Sequence, residues 1–101
     1  MKNVILSADA DYFVYSVPDI VEENLLDYCL EFEKWLHSPH GKQYLLEIYN
    51  DETICCLPDD FIVWLNKHKF PNHPSIFVEN LGNICWKDLP ERCKKYPDFN
   101  F

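Results

Sequence analysis

The residues best suited to chemistry lie in one short segment, 66–75, which reads NKHKFPNHPS. It contains two of the chain's four histidines and two of its nine lysines and arginines. Pro71 and Pro74 fix two φ angles and hold the residues before them extended, as a helix-to-strand connection requires. The segment is therefore interpreted as a stiff bend. The alternative is a phosphate or carboxylate site built from its basic side chains, Lys67, His68, Lys69 and His73.

Cysteine and histidine, the usual ligands of zinc, occur without the spacing of a metal site. The five cysteines form no Cys-x-x-Cys pair, and His37-x-x-His40 has no thiol in a matching local motif. Adjacent strand residues point to opposite faces, so Cys55 and Cys56 do not form one site. Two glycines are too few for a phosphate-cradling loop, and there is no nucleophile elbow. We therefore expect no metal, no cofactor and no enzymatic activity.

The net charge of −8 is distributed unevenly along the chain. Residues 1–66 carry thirteen acidic and three basic side chains, whereas residues 67–101 carry four and six. An acidic surface repels nucleic acids and anionic membranes and attracts cationic protein surfaces. We therefore expect a protein partner with a basic surface, and no direct contact with nucleic acid or membrane.

The apolar runs predict a protein of the cytoplasm. Each is only a few residues long, far short of the roughly 20 that a transmembrane helix needs. The first residues also lack the apolar region of a secretory signal. Without an export signal, an odd number of cysteines is typical of reduced thiols.

The chain of 101 residues is expected to form one α+β domain over residues 1–101. β-Branched and aromatic runs at 4–8 and 12–17 predict a β-hairpin. A helix is predicted over 20–37, with Asp19 as N-cap and Glu22 closing a capping box, and residues 38–41 are expected to end it. The remaining predictions are strands over 44–49 and 53–57, a helix over 58–67, strands over 75–80 and 84–86, and an irregular tail pinned by Tyr96, Phe99 and Phe101.

This order, ββ-α-ββ-α-ββ-tail, predicts a mostly antiparallel sheet with both helices on one face. The first helix has a core stripe and, on its other side, a series of carboxylates at i, i+4, where like charges disfavour the helix. Leu26 and Leu30 lie among these acids. An apolar pair ringed by carboxylates is a common plan for an interface. The predicted binding residues are Asp19, Glu22, Glu23, Leu26, Asp27, Leu30 and Glu31.

Other interpretations of these residues stay open. The two leucines are equally consistent with ordinary surface leucines, with packing under the hairpin or tail, or with a homodimer contact. A different function is also open, in which strand aromatics and basic side chains line a pocket for a small molecule or nucleotide. The residues of that pocket are Tyr12, Tyr15, Lys67, His68, Lys69 and His73.

Two stretches, FIVWLNKHKFPNHPS and PSIFVENLGNICWKDLPERCKKYPDFNF, are similar to short uncharacterised proteins of Gram-positive bacteria and their mobile elements. The resemblance implies no activity and no site residue. Small acidic proteins of mobile elements often bind and block a larger protein. The predicted function is a non-enzymatic interaction protein of inhibitor or immunity type. It binds a basic protein, such as a nucleic-acid-handling enzyme, through its acidic helix face.

Overall fold

A β-hairpin lies at the centre of the sheet, as predicted. The computed structural model describes residues 1–50 and 57–101, and places β1 at Lys2–Ala8 and β2 at Asp11–Val17. The two strands pair antiparallel from Lys2↔Val17 to Ala8↔Asp11. Asp9 and Ala10 form the two-residue turn, with φ of 52° and 67°. Two positive φ angles give the type I′ geometry, whose twist matches that of the flanking strands.

The sheet is mixed rather than purely antiparallel. In the described residues it has four strands in the order β3-β2-β1-β4, with β3 at Ile76–Asn83 and β4 at Asp98–Asn100. β3 pairs antiparallel with β2, whereas β4 pairs parallel with β1. The expected return strand over 84–86 is wrong, because β3 continues through Gly82 and a short 3₁₀ turn follows at Trp86–Asp88.

The predicted first helix is interrupted. It consists of α1 at Asp19–Glu23 and α2 at Leu25–Leu36, separated by Asn24. The Asn24 side-chain amide donates to the Ile20 carbonyl at 3.0 Å, a local bond that competes with the helical ladder. The predicted capping box is also wrong, since α1 begins at Asp19 and no side chain caps it.

The chain then forms a third helix where a strand was predicted. α3 spans Pro39–Tyr49, so residues 44–49 are helical, and the expected strand over 53–57 lies almost wholly outside the described residues. The Ser38 hydroxyl accepts a hydrogen bond from the Gly41 N–H at 3.2 Å, and Pro39 occupies the first helical position. Residues 38–41 thus end one helix and begin the next, because proline suits a first turn as well as it breaks a ladder.

Gly41 is required by the contact between α2 and α3. A Cβ at this position would lie 2.0 Å from the Trp35 carbonyl oxygen and 2.5 Å from Leu36 Cα. Both are backbone atoms, so a larger residue could be accommodated only by moving the two helices apart.

The last helix leads into the bend. α4 spans Pro58–Trp64 and continues as a π-helical turn over Leu65–Lys69, which the Phe70 N–H closes by donating to the Leu65 carbonyl at 2.8 Å. The Asn66 side chain then brackets the backbone of Ser75, accepting from its N–H at 2.7 Å and donating to its carbonyl at 3.1 Å. Segment 66–75 therefore forms the helix-to-strand connection expected from its prolines.

Helices cover one face of the sheet and the C-terminal segment covers the other. On the helix side, strand residues such as Val4 and Leu6 pack with buried residues of the four helices, among them Val21, Phe32, Leu45 and Phe61. On the other side, Ile5 and Val14 pack with Leu89 and Cys93, near a second 3₁₀ turn. Phe99 and Phe101 pack against the helix-side core, and Tyr96 packs against the opposite one, so the tail is pinned as expected.

The turn of the central hairpin predicts a stabilising substitution. Ala10→Gly should raise the free energy of unfolding by about 0.5–1 kcal/mol, because the relief of a left-handed backbone exceeds the entropy that glycine adds to the unfolded chain. The measurement is equilibrium unfolding in urea. Gly82→Ala is the control and should lower the free energy of unfolding. At Gly82 φ is 77° and no atom lies within 4 Å of the added Cβ, so the substitution introduces only backbone strain. A neutral or destabilised Ala10→Gly protein would contradict the prediction.

Candidate functional site

The outer side of α2 presents the predicted leucine pair to solvent. Leu25 and Cys29 face the core, so their neighbours in sequence point outward. Leu26 is 59% exposed and Leu30 is 44% exposed. The alternative in which these two leucines pack under the hairpin or the tail is therefore excluded. Leu26, Asp27, Leu30 and Glu31 together are referred to below as the leucine face.

The predicted carboxylates are divided among several environments. Glu23 and Asp27 are exposed, and neither has an ion-pair partner among the described residues. Asp19 lies 3.0 Å from the amino group of Met1. Glu22 is half-buried and lines a separate depression beside Lys2 and Lys95. Asp19 and Glu22 therefore have neighbours of their own outside the leucine face.

Lys69 is held beside the leucine face. Its ammonium nitrogen lies 2.7 Å from the Glu31 carboxylate and 5.6 Å from the centre of the Trp64 ring. Asn24, Asp27 and Tyr28 complete a shallow depression around this ion pair. An exposed pair of this kind contributes only about 0–1 kcal/mol, so Lys69 is a replaceable neighbour of Glu31.

The six residues of the alternative pocket do not meet in one place. Tyr12 contacts Trp86, with ring centroids 6.2 Å apart, on the side of the sheet opposite the helices. Tyr15 is buried on the helix side, and His73 is exposed in the bend. Lys67 and His68 do lie together, at the mouth of a cleft that the sequence did not predict.

That cleft has a volume of about 520 Å³ and lies between α2, α3 and the end of α4. Its walls are the rings of Trp35, Tyr44 and Trp64, and Asp60 lies at its floor. The ring centroids of Trp35 and Tyr44 are 5.6 Å apart. The strand predicted over 44–49 would place Tyr44 away from the other walls, whereas α3 brings it to them. The sequence signal that could place Tyr44 in a helix is Ser38 followed by Pro39, an N-cap residue and a proline suited to the first helical position.

Asp60 is a buried carboxylate held by hydroxyl and amide groups. It is 5% exposed. Its Oδ1 accepts from the Tyr44 hydroxyl at 2.5 Å, and its Oδ2 accepts from the Tyr49 hydroxyl and from the Leu57 N–H at 2.8 Å. The preceding residue, Asp59, accepts from the hydroxyl of Tyr15 on β2. The two acids therefore begin α4, as expected, and also tie it to α3 and to the sheet.

Function has to be inferred from these surfaces, because the chain matches no family model, no curated protein and no solved structure. In the described part of the chain, no helix is long and apolar enough to cross a membrane. The same residues contain no group of three or more His, Cys, Asp and Glu side chains arranged to hold a metal ion. The leucine face and the cleft are the two features considered below.

The contact between Tyr15 and Asp59 predicts a pH-dependent stability. Burial, and then the hydrogen bond and charge of Asp59, raise the pKa of Tyr15 well above its usual value. The native state therefore favours the neutral phenol. The stability that this preference adds to the folded protein is fully present below about pH 10 and is lost as the pH rises further. Tyr15→Phe should be less stable than the parent by about 1 kcal/mol at neutral pH, with the difference narrowing above pH 10.

Urea unfolding across this pH range measures the difference in stability between Tyr15→Phe and the parent protein. Tyrosinate absorbance reports the ionisation of the tyrosine side chains. Tyr12→Phe, on the same strand, is the control and should leave the late-ionising phenol in place. A Tyr15 that ionises together with the exposed tyrosines in the folded protein would contradict the assignment.

Proposed function

We propose that this protein is a non-enzymatic interaction protein, of inhibitor or immunity type, that binds a protein with a basic surface through its leucine face. The observation that carries the proposal is the exposure of Leu26 and Leu30 between acidic side chains. Burying a leucine side chain that water fully surrounds contributes roughly 1.5–3 kcal/mol. Two half-exposed leucines thus supply an apolar anchor of about 1.5–3 kcal/mol in all.

The core side of α2 supports this role by holding the helix rigid. Cys29, Phe32 and Leu36 are fully buried and pack against both the sheet and the other helices. The backbone of a rigid helix loses little further freedom when a partner binds, so more of the contact energy is kept as affinity. The leucine face is preorganised in this sense.

The carboxylates determine which partner is favoured. Exposed charges at the rim of an interface add little to affinity, but they accelerate association with a surface of opposite sign and disfavour acidic competitors. Asp27 has no internal counter-charge in the described residues, and Glu31 has one that is easily replaced. The partner proposed is a protein with a lysine- and arginine-rich surface, such as a nucleic-acid-handling enzyme whose phosphate contacts these carboxylates imitate.

The test replaces the anchor and leaves the rest of the fold in place. Leu26→Asp combined with Leu30→Asp should reduce binding to a basic partner, captured from host lysate, by at least tenfold, because the apolar contact is lost. The matched control is Leu46→Asp combined with Ile48→Asp on α3, since these side chains are 43% and 58% exposed and the added charge is identical. Binding of each purified variant to the captured partner is measured by surface plasmon resonance.

Salt and oligomeric state complete the test. The association rate of the parent protein should fall steeply between low and moderate salt, and nucleic acid should compete for the partner. Equal loss of binding in the leucine variant and its control would refute the proposal. A parent protein that sediments as a dimer, and as a monomer only in the leucine variant, would instead assign the face to self-association.

A further inference from the structure

Independently of the leucine face, we propose that the cleft lined by Trp35, Tyr44 and Trp64 binds an organic cation of the guanidinium or alkylammonium type. Three observations on the described residues carry this inference: a buried carboxylate without a counter-cation, aromatic walls, and a second carboxylate at the mouth.

The buried carboxylate is Asp60. A buried acidic side chain is normally paired with a cation, because the loss of hydration is costly. In residues 1–50 and 57–101, Asp60 has hydroxyl and amide donors but no ion-pair partner. Three of the four acceptor positions of a carboxylate are used, and the remaining one is on Oδ1. The cleft is therefore lined by a buried carboxylate whose partners in the described residues are all uncharged groups.

The walls are suited to the same ligand. The faces of tryptophan and tyrosine rings attract cations, and the attraction grows when water is excluded. The Trp64 ring is stacked on Phe61, with an interplanar angle of 25°, and has the ammonium of Lys69 5.6 Å from its centroid, so the ring faces proposed to meet the cation are those of Trp35 and Tyr44. Trp35 contacts both Tyr44 and His68, with ring centroids 5.6 and 5.3 Å apart. A flat guanidinium or a methylated ammonium fits such a lining, whereas a phosphate would meet the Asp60 charge.

The mouth of the cleft contains charges of both signs. Glu47 and Lys67 line it, and both are exposed. Lys67 forms no ion pair among the described residues and does not reach Asp60. The volume of about 520 Å³ is that of a small-molecule site rather than of a single ion. The cation is therefore either a free small molecule or a basic side chain of a bound protein.

The experiment follows the three tryptophan indole N–H signals by NMR while the whole protein is titrated with arginine amide, tetramethylammonium or AMP. Trp86 is an internal control, because it lies on the opposite side of the sheet against Tyr12. The proposal predicts saturable shifts of the Trp35 and Trp64 signals with both cations and no such shift with AMP. The Trp86 signal should not move.

Two conservative substitutions at exposed residues show whether the ligand is positively or negatively charged, and they do not disturb the core. Glu47→Gln should weaken cation binding by about threefold and Lys67→Gln should strengthen it by about the same factor, as expected for single exposed charges. An anion site would show the reverse for both variants. AMP binding with the reversed pattern, or no shift with either cation at 10 mM, would overturn the proposal.

The source of the cation is resolved with a short arginine-containing peptide. A peptide that binds more tightly than arginine amide, and that loses this advantage in the Leu26→Asp/Leu30→Asp variant, identifies a partner's side chain. Equal affinities of peptide and arginine amide identify a small molecule. Either result supports the cleft as a cation site, and neither requires the proposed function to be correct.

Discussion

The fold depends on a pair of adjacent carboxylates at the start of α4. Asp59 is bound by Tyr15 of the sheet, and Asp60 is bound by Tyr44 and Tyr49 of α3. Hydrogen bonds to a charged group contribute roughly 1.5–3 kcal/mol each, which offsets the cost of burying Asp60. Two neighbouring residues thereby connect three elements that the hydrophobic core alone would hold less specifically.

α2 is used on three sides. One side carries Phe32 and Leu36 into the core, a second presents the leucine face, and Trp35 forms a wall of the cleft. The corner at Gly41, where α3 approaches the backbone of α2, brings Tyr44 opposite Trp35. The two surfaces are also connected on the other side of α2, because Lys69 contacts both Glu31 of the leucine face and the Trp64 ring that lines the cleft.

Local patterns predicted the parts of the fold that depend on local interactions. β-Branched and aromatic runs predicted the central hairpin. Helical periodicity identified the core stripe of α2 and hence the outward direction of Leu26 and Leu30. The stretch 44–49 is rich in residues that favour strands, and its helix is decided by the Ser38 cap and by packing of Leu45 on the core. β4 is three residues long and pairs with a strand more than 90 residues away, which no local pattern can indicate. The cleft was missed for the same reason, since its walls come from three helices.

The π-helical turn at Leu65–Lys69 has an evolutionary implication. A π turn holds one residue more than an α-helical turn of the same height, so a single inserted codon is enough to create it and a single deletion to remove it. Such a deletion would rotate the following side chains by about 100° around the helix axis. Lys69 would then move away from Glu31. Related proteins that share this pattern of surface charge should therefore have the same number of residues in this turn. The number of residues is more informative here than their identity.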